Sequence, residues 1–216
     1  MKYPKIHSLW KRNEFSKRVI EGDYSLAEFE SIKRWTVYEK IDGTNIRLHY
    51  KSGDADYKIY GRSDDSSIPR PLEDYLRANI KLDDIITPLE EFGGTVKEIT
   101  IFGEGYGGNI QTAGPFYSDK VGFIIFDVHL NGWWLKRDDY MDVAKYIKMP
   151  VVPMIGFMGT QEIVDHVKSY PKSFWADKPY EMEGIVAKSF PLMRFRDGDP
   201  IMFKLKAKDM RDLCQQ

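Results

Sequence analysis

The chain has 216 residues and a mass of 25.2 kDa, a size that predicts one sizeable domain with its own hydrophobic core. Hydrophobic residues make up 42% of the sequence and charged residues 30%, which excludes a disordered chain. The net charge of −1 excludes a generally cationic nucleic-acid coat, although a local basic groove stays compatible with it.

Cysteine content and hydropathy exclude further classes of protein. The single cysteine, Cys214, excludes a disulfide framework and any zinc site that needs several thiolates. No apolar run approaches the roughly 20 residues of a membrane helix, and the N-terminus lacks the apolar stretch of a secretory signal. We therefore expect a soluble, intracellular protein that makes no membrane contact.

In chain order, the first predicted elements are short helices followed by strands. The first 34 residues are polar with scattered aromatics, and we expect short helices there, one of them opening at Ser25. From Trp35 to Lys40 apolar and polar side chains alternate as in a strand. Asp42-Gly43 predicts a turn, and residues 45–50 and 57–61 predict two further strands. The sequence thus predicts a meander of three short antiparallel strands.

The rest of the chain mixes helices and strands. Helical spacing from Pro71 to Phe92 predicts one helix, which Gly93-Gly94 ends. Strands are predicted at 96–102, 121–130, 151–157, 184–188 and 201–206, with a hairpin at Asn131-Gly132. Further helices are predicted from Asp138 and from an N-cap at Thr160. This order predicts an α+β fold with mainly antiparallel sheets and flanking helices.

One candidate nucleophile lies at the end of a predicted strand. In Glu39-Lys40-Ile41-Asp42-Gly43-Thr44-Asn45 a tight turn follows the lysine. Such a lysine can attack an electrophile if nearby cations or burial keep part of its amine neutral. The same pattern is also typical of a surface lysine beside an Asp-Gly turn, so this segment alone decides nothing.

Two late strands carry charged residues at alternating positions. The strand after Glu183 places Val186 and Lys188 on one face. Lys204 and Lys206 share one face of the last strand, where two ammonium groups can hold a phosphate chain. The alternative is an edge strand on which lysines prevent aggregation.

A glycine-rich segment follows the strand at 96–102. Residues 103–108 fit the Gly-x-Gly-x-x-Gly pattern of dinucleotide-binding loops, which requires a helix directly afterwards. Residues 109–115 cannot sustain one, so we expect the glycines to let the backbone pass close to a ligand beside Glu104. Phe126, at the end of an apolar strand, suits either base stacking or core packing.

In this order, the five motifs resemble the covalent nucleotidyltransferases, which include ATP-dependent DNA and RNA ligases and mRNA-capping guanylyltransferases. The motifs are Lys-x-Asp-Gly, Phe-Gly-Glu, Phe-Asp, Glu-Gly-x-Val-x-Lys and Lys-x-Lys, and they span Trp35 to Lys206. The segments Gly43-Thr44-Asn45 and Arg196-Asp197-Gly198 are most similar to nick-sealing RNA ligases of the phage and kinetoplastid-editing type. Asp42 departs from the phage type, which often has histidine there.

The resemblance implies a single nucleotidyltransferase (ATP-grasp-like) catalytic domain over residues 1–216, without a C-terminal OB-fold or helical domain. It implies a monomer that acts on RNA ends, nicked or single-stranded, with an accessory protein or domain to strengthen its grip on RNA. A phage or viral origin fits this expectation.

The resemblance also implies an activity, ATP-dependent joining of 3′-hydroxyl and 5′-phosphate RNA ends with Mg²⁺ or Mn²⁺. Lys40 would attack the α-phosphate of ATP to form lysyl-AMP, and the AMP would pass to the 5′ end before the 3′-hydroxyl displaces it. The implied catalytic residues are Lys40, Glu183, Lys204 and Lys206, with Glu183 also as metal ligand. The implied nucleotide-binding residues are Glu39, Asp42, Gly43, Arg62, Glu104, Phe126, Val186 and Lys188. The implied RNA-contacting residues are Thr44, Asn45 and Arg62.

Other interpretations stay open at this point. The main alternative is a DNA ligase or another polynucleotide adenylylase of the same superfamily. A nucleotide-binding or scaffolding module without catalysis and a dehydrogenase are the others.

Overall fold

The computed structural model describes residues 1–91 and 94–214, which divide into two compact units. Unit 1 comprises Met1–Tyr3 and Asp42–Val152, and unit 2 comprises Pro4–Ile41 and Pro153–Gln216. Each unit has its own five-stranded sheet and its own buried core. The single domain expected over residues 1–216 stays a prediction.

The described residues form short strands and helices in the following order. The elements are β1 (His7–Ser8), β2 (Trp10–Arg12), β3 (Val19–Tyr24), α1 (Ala27–Ser31), β4 (Trp35–Glu39), β5 (Thr44–Lys51), β6 (Lys58–Tyr60), α2 (Arg70–Asn79), α3 (Leu82–Glu91), β7 (Glu98–Tyr106), α4 (Gly114–Tyr117), β8 (Gly122–Leu130), β9 (Trp133–Trp134), α5 (Arg137–Tyr146), β10 (Met154–Met158), α6 (Thr160–Lys168), β11 (Gly184–Ser189), β12 (Met202–Lys206) and α7 (Ala207–Cys214). None of these helices has the length and apolar character needed to span a bilayer.

Unit 1 is built on an antiparallel sheet with the strand order β6-β5-β7-β8-β9. Helices α2 and α5 contact β8, and α3 contacts α5. The core between sheet and helices is aliphatic with buried tyrosines; it includes Ile46, Leu72, Leu76, Ile101, Phe123 and Val143. Burial of this apolar surface stabilises the unit.

Unit 2 contains a sheet with the order β1-β12-β11-β4-β10, in which only β1 and β12 run parallel. One face of this sheet packs into a core with α6 and α7; it includes Trp35, Val37, Ile163, Ile185, Phe203 and Met210. Side chains that oppose each other across antiparallel strands share a face. The other face therefore carries Tyr38, Val186, Lys188, Lys204 and Lys206, which we call the lysine face.

The α+β class with mainly antiparallel sheets and flanking helices is confirmed. The Asn131-Gly132 hairpin is also present between β8 and β9, and both turn residues have positive φ, 50° and 90°. Two consecutive positive φ values are typical of the type I′ turn that this dipeptide favours.

The expected helices in the first 34 residues are wrong except for α1. The chain there forms β1, β2 and β3, because Leu9, Trp10 and Val19 are buried in the core of unit 2. The expected three-stranded meander is also wrong. Strand β4 pairs with β10 and β11, whereas β5 pairs with β6 and β7 in the other sheet.

The helix expected from Pro71 to Phe92 is two helices, α2 and α3. Ile80 leaves the helical conformation with φ −118° and ψ 123°, and its side chain is buried in the core. The Tyr57 hydroxyl donates to the carbonyl of Ile80 at 3.0 Å, which satisfies this carbonyl at the end of α2. Phe92 and Gly93 lie outside the described residues, and with them the start of the expected stop at Gly93-Gly94.

Two later boundaries shift by one to three residues. Strand β10 starts at Met154, and Val151 forms an isolated bridge with Ile125. The N-cap of α6 is Gly159. The hydroxyl of Thr160 is instead an acceptor for the Trp35 indole N–H at 3.0 Å.

Candidate active site

Lys40 follows directly after β4 and is held there by the backbone. Its N–H donates to the carbonyl of Gly184 at 2.9 Å, which ties the residue to the start of β11. Its Nζ donates to Oε2 of Glu183 at 2.7 Å, and 22% of the side chain is exposed. The strand pairing thus fixes the backbone of Lys40 and leaves its amine accessible.

Glu183 bridges two lysines. Its Oε2 accepts from Lys40, and its Oε1 lies 2.6 Å from Nζ of Lys206, with 15% of the glutamate side chain exposed. Ion pairs this short and this shielded are stronger than surface pairs, which contribute little. Two ammonium groups on one carboxylate leave a net positive charge, so the cluster attracts anions.

The backbone around Glu183 explains why a glycine follows it. Gly184 has φ +152°, and a Cβ there would lie 2.2 Å from the carbonyl oxygen of Leu205 and 2.7 Å from Cα of Lys206. A side chain would push β12 away from β11, and with it Lys206 away from Glu183. The close approach of the two strands therefore requires the glycine that follows Glu183 in the motif.

The lysine face continues from this cluster along the sheet. Lys204 opposes Val186, which in turn opposes Tyr38 on β4. The Lys188 ammonium lies 5.4 Å from the centroid of the Tyr38 ring, within cation–π range. Burial, with Lys5 and Lys204 as further causes, lowers the pKa of His7. The face combines cations with a partly apolar floor.

Glu39 points to the other face of the sheet. It opposes Ile185 and is 2% exposed. Its carboxylate accepts from the Ser173 hydroxyl and from the Phe174 N–H at 2.9 Å. Burial raises the pKa of Glu39, against the effect of these hydrogen bonds. This carboxylate anchors the segment at 173–176, so Glu39 stays a candidate for nucleotide contact only through its backbone.

A second group of predicted residues lies within unit 1, at the start of β5. The Asp42 N–H donates to the Tyr117 hydroxyl at 3.2 Å. A Cβ at Gly43 would lie 2.1 Å from the Gly105 carbonyl oxygen, so the backbone approach requires glycine there. The Gly43 carbonyl accepts from Gln111 at 3.3 Å, and Thr44 opposes Gly105.

Asn45 opposes Glu104 across β5 and β7. Its Oδ1 is buried, and within the described part of the chain no hydrogen-bond donor reaches it. A buried acceptor without a donor costs free energy, on the order of 1–3 kcal/mol. Such an atom requires a partner outside the described protein atoms, either an ordered water or a ligand.

Phe126 lies at a break in the register of β8. Phe102 opposes Asp127 and Gly103 opposes Ile125, so Phe126 is the extra residue of a β-bulge. Bulges redirect a side chain locally. The Phe126 ring packs edge-on against Tyr3 at a centroid distance of 4.9 Å and stays half-buried. This contact is compatible both with stacking on a base and with structural packing.

Arg62 lies on an exposed loop that Arg47 holds in place. The Arg47 guanidinium is 2% exposed and donates to the Gly61 carbonyl at 2.9 Å and to the Asp64 carboxylate at 2.8 Å. The same contact lowers the pKa of Asp64, through the hydrogen bond from Arg47 first. The chain around Arg62 is thereby fixed on both sides.

The donor set suits a divalent metal held jointly with phosphates. Over residues 1–91 and 94–214, no three histidine, cysteine or carboxylate side chains are grouped to hold a metal. Mg²⁺ is usually bound through one or two carboxylates plus substrate phosphates. Glu183 fits that pattern, provided that one of its two ammonium partners moves.

Some supporting side chains had no signal in the sequence. Ser173 lies 134 residues from Glu39, and Tyr117 lies 75 residues from Asp42. No spacing rule connects such positions. Tyr38 did have a signal, because the alternation from Trp35 places it on the opposite face from Glu39.

Comparison with known proteins identifies the family of the chain. The chain matches a family model described as RNA ligase over residues 33–206. A search of curated proteins found no match.

Solved structures with a similar fold include RNA ligases. A variant of Naegleria gruberi RNA ligase with ATP and Mn has a TM-score of 0.61 and 16% identity, and the match covers 98% of this chain and 62% of that one. An archaeal ATP-dependent RNA ligase has a TM-score of 0.59 and 15% identity, with 99% and 51% covered. This chain thus spans 51% to 62% of the length of these two proteins. Since the family model covers most of the sequence, the chain belongs to the RNA ligase family.

Proposed function

We propose that this protein is an ATP-dependent RNA ligase that joins 3′-hydroxyl and 5′-phosphate RNA ends through a covalent lysyl-AMP. The observation that carries the proposal is the Lys40–Glu183–Lys206 cluster, with distances of 2.7 Å and 2.6 Å. It brings together an amine nucleophile, a carboxylate and a second cation from three separate motifs. Charge stabilisation of this kind is the main requirement of phosphoryl and nucleotidyl transfer.

ATP and Mg²⁺ or Mn²⁺ are the proposed cofactors. Naegleria gruberi RNA ligase has been solved with ATP and Mn and with AMP and Mn. A divalent ion would neutralise charge on the leaving pyrophosphate. Glu183 would hold it together with the phosphates once one of the two ammonium partners of Glu183 has moved away.

Lys40 needs to lose a proton before it attacks. The ion pair with Glu183 favours the charged ammonium, which has no lone pair for the attack. Lys40 therefore leaves this ion pair, in which its Nζ lies 2.7 Å from Oε2 of Glu183, as the nucleotide binds. Its proton passes to solvent, so that Glu183 keeps the negative charge that a divalent ion needs. The Nζ of Lys40 then forms the bond to the α-phosphorus as the bond to pyrophosphate breaks.

The lysine face would bind the nucleotide. Lys204 and Lys206 contact phosphate oxygens and stabilise the charge that builds on them. Val186 and the aromatic floor formed by Tyr38 offer an apolar surface for adenine, and Lys188 adds a cation beside it.

The residues of unit 1 would bind the sugar and the RNA. We propose Glu104 as an acceptor for ribose hydroxyls and Phe126 as a stacking surface for the base. Asn45, with its unsatisfied Oδ1, would accept a hydrogen bond from a ligand hydroxyl. Arg62, on the loop fixed by Arg47, would contact a phosphate or the incoming 3′ end, next to Thr44.

Sealing of matched nicks tests this function. With ATP and Mg²⁺, the protein should join a 5′-phosphate and a 3′-hydroxyl in a nicked RNA duplex faster than in the same nick made of DNA. Preference for the DNA nick would indicate a DNA ligase, and no joining of either would contradict the proposal.

A bypass experiment separates the steps. Lys40→Ala should seal nothing when given ATP, yet should join an RNA whose 5′ end already carries AMP, because the last step needs no lysine nucleophile. Glu183→Ala should fail with both substrates, since metal and phosphate contacts serve every step.

A further inference from the structure

Two phenylalanine rings lie exposed and in contact at one edge of the unit 2 sheet. Phe157, on the edge strand β10, is 47% exposed, and Phe190, just after β11, is 46% exposed. Their ring centroids are 4.6 Å apart with an interplanar angle of 59°. Large exposed apolar side chains in contact with each other mark interaction sites more often than single ones do.

One cation, Arg34, lies beside these rings. The Arg34 guanidinium lies 5.9 Å from the centroid of the Phe157 ring, at the limit of cation–π range. The Arg34 carbonyl accepts from the Phe190 N–H at 2.9 Å, which fixes the two segments together. Exposed aromatic rings can stack on the bases of a nucleic acid, and an adjacent guanidinium can attract its phosphates.

The rings continue the lysine face. Phe157 opposes Thr36 on β4, and Thr36 opposes Lys188 on β11, so all three side chains point to the same side of the sheet. Thr36 is two residues from Tyr38 along β4 and four from Lys40. At the strand rise of 3.3 Å per residue, these separations are about 7 Å and about 13 Å.

We propose that Phe157 and Phe190, with Arg34 and Lys188, form an RNA subsite in which unpaired bases next to the reacting end stack on the exposed rings. The subsite rests on the proposed function, because it extends the nucleotide-binding face across β4 to the edge strand β10. We call these four residues the aromatic patch.

Charge favours RNA over a protein partner here. Bases of any RNA sequence can stack on an aromatic ring. Each arginine or lysine near the RNA adds attraction to the RNA phosphates. Leu192 and Met193, 39% and 37% exposed in the segment after Phe190, would also suit a protein surface. A protein partner is therefore an outcome that the test must separate.

The first measurement needs no substitution. A short single-stranded RNA with 2-aminopurine near its 3′ end is titrated with the wild-type protein, and stacking on the rings should quench or shift its fluorescence. Binding without a fluorescence change at any labelled position near the ends would overturn the subsite.

The second measurement compares variants. Phe157→Ala/Phe190→Ala should weaken RNA binding, measured by anisotropy, by about five- to a hundredfold, the range of stacking contributions. Arg34→Ala should reduce the salt dependence of binding. Lysyl-AMP formation from ATP should stay at the wild-type rate in both variants, because none of the substituted side chains belongs to the Lys40–Glu183–Lys206 cluster. Trp133→Ala, at a 71% exposed aromatic of unit 1, is the matched control and should bind RNA normally.

The outcomes distinguish the two levels of the proposal. Wild-type protein that forms no lysyl-AMP contradicts the proposed function itself. Normal lysyl-AMP formation with equal RNA affinity in the double variant and the wild type contradicts the subsite alone, and points to a protein-docking role for the exposed apolar side chains.

Discussion

At the scale of single residues, the central feature is a carboxylate shared by two ammonium groups. Lys40 and Lys206 occupy separate oxygens of Glu183. Removal of one ammonium leaves the other with the whole carboxylate, so each lysine sets the electrostatic environment of its neighbour. The lysines and the glutamate were predictable from three short motifs, because each motif places its charged residue at a strand end. The shared contact was not, because it depends on how β4, β11 and β12 align.

Lys206→Ala should slow lysyl-AMP formation by at least about a hundredfold, comparable with the loss of one preorganised donor at an oxyanion. The variant loses a cation at the phosphate, and Lys40 no longer shares Glu183 with a second ammonium, which favours its charged form. A higher assay pH should restore part of the rate. The measurement is single-turnover labelling with α-labelled ATP.

Lys208→Ala, two residues further on at an exposed position, is the matched control and should label normally. Equal labelling rates for Lys206→Ala and Lys208→Ala at neutral pH would exclude Lys206 from the site.

At the scale of elements, strand pairing decides where the site residues meet. The sequence predicted the strands 184–188 and 201–206 well, since a strand with one buried face alternates in hydrophobicity. It failed for β4, which alternates like a hairpin strand but pairs with β10 and β11. A local turn signal at Asp42-Gly43 does not report long-range pairing, because partners such as Met158 lie more than a hundred residues away.

Gly184→Ala tests the alignment of β11 and β12. The substitution meets both a positive φ and a backbone oxygen 2.2 Å from the new Cβ, so the free energy of unfolding should fall by about 2–4 kcal/mol. Lysyl-AMP formation should fall with it, because Lys206 shifts away from Glu183. Thermal unfolding and labelling are the two measurements.

Gly198→Ala separates the cost of backbone strain from the cost of steric overlap. Gly198 has φ +93°, and a Cβ added there would meet no atom within 4 Å, so only the backbone strain of about 1 kcal/mol applies. If both substitutions cost the same free energy, the close approach at Gly184 does not constrain the strands.

At the scale of the whole molecule, the family and the α+β class followed from the sequence, whereas the division into two units did not. Motif order survives changes elsewhere in a chain, so it identifies the family. Unit boundaries depend on which core buries each segment. Ile41 and Asp42 are adjacent in sequence yet belong to different units. The amino-acid composition of the chain does not shift at this boundary, so the sequence does not mark it.

Stability should fall in mild acid, because burial lowers the pKa of several histidines. Burial is the main cause for His7, His49 and His166 alike. Between the folded pKa and the ordinary value of 6.5, the unfolded chain binds more protons than the folded one. The histidine contribution to the free energy of unfolding is therefore complete above pH 6.5 and is lost as the pH falls through the folded pKa.

The prediction is tested by urea unfolding of the wild type and of His166→Gln, at one pH above 6.5 and at one pH below the folded pKa of His166. Glu39 and Asp199, whose pKa values are raised by burial, act in the opposite direction, so the difference between wild type and variant is the informative quantity. The variant should lose less free energy of unfolding on acidification than the wild type. An equal loss would show that His166 titrates normally in the folded protein.

We propose that Lys40 is the residue that carries AMP. The direct measurement is mass spectrometry of the protein after incubation with ATP and Mg²⁺, followed by peptide mapping of the modified residue. We expect one AMP per chain, released by acid as a phosphoramidate is, located on Lys40, and absent from Lys40→Ala. AMP on another residue, or in Lys40→Ala, would show that Lys40 is not the nucleophile.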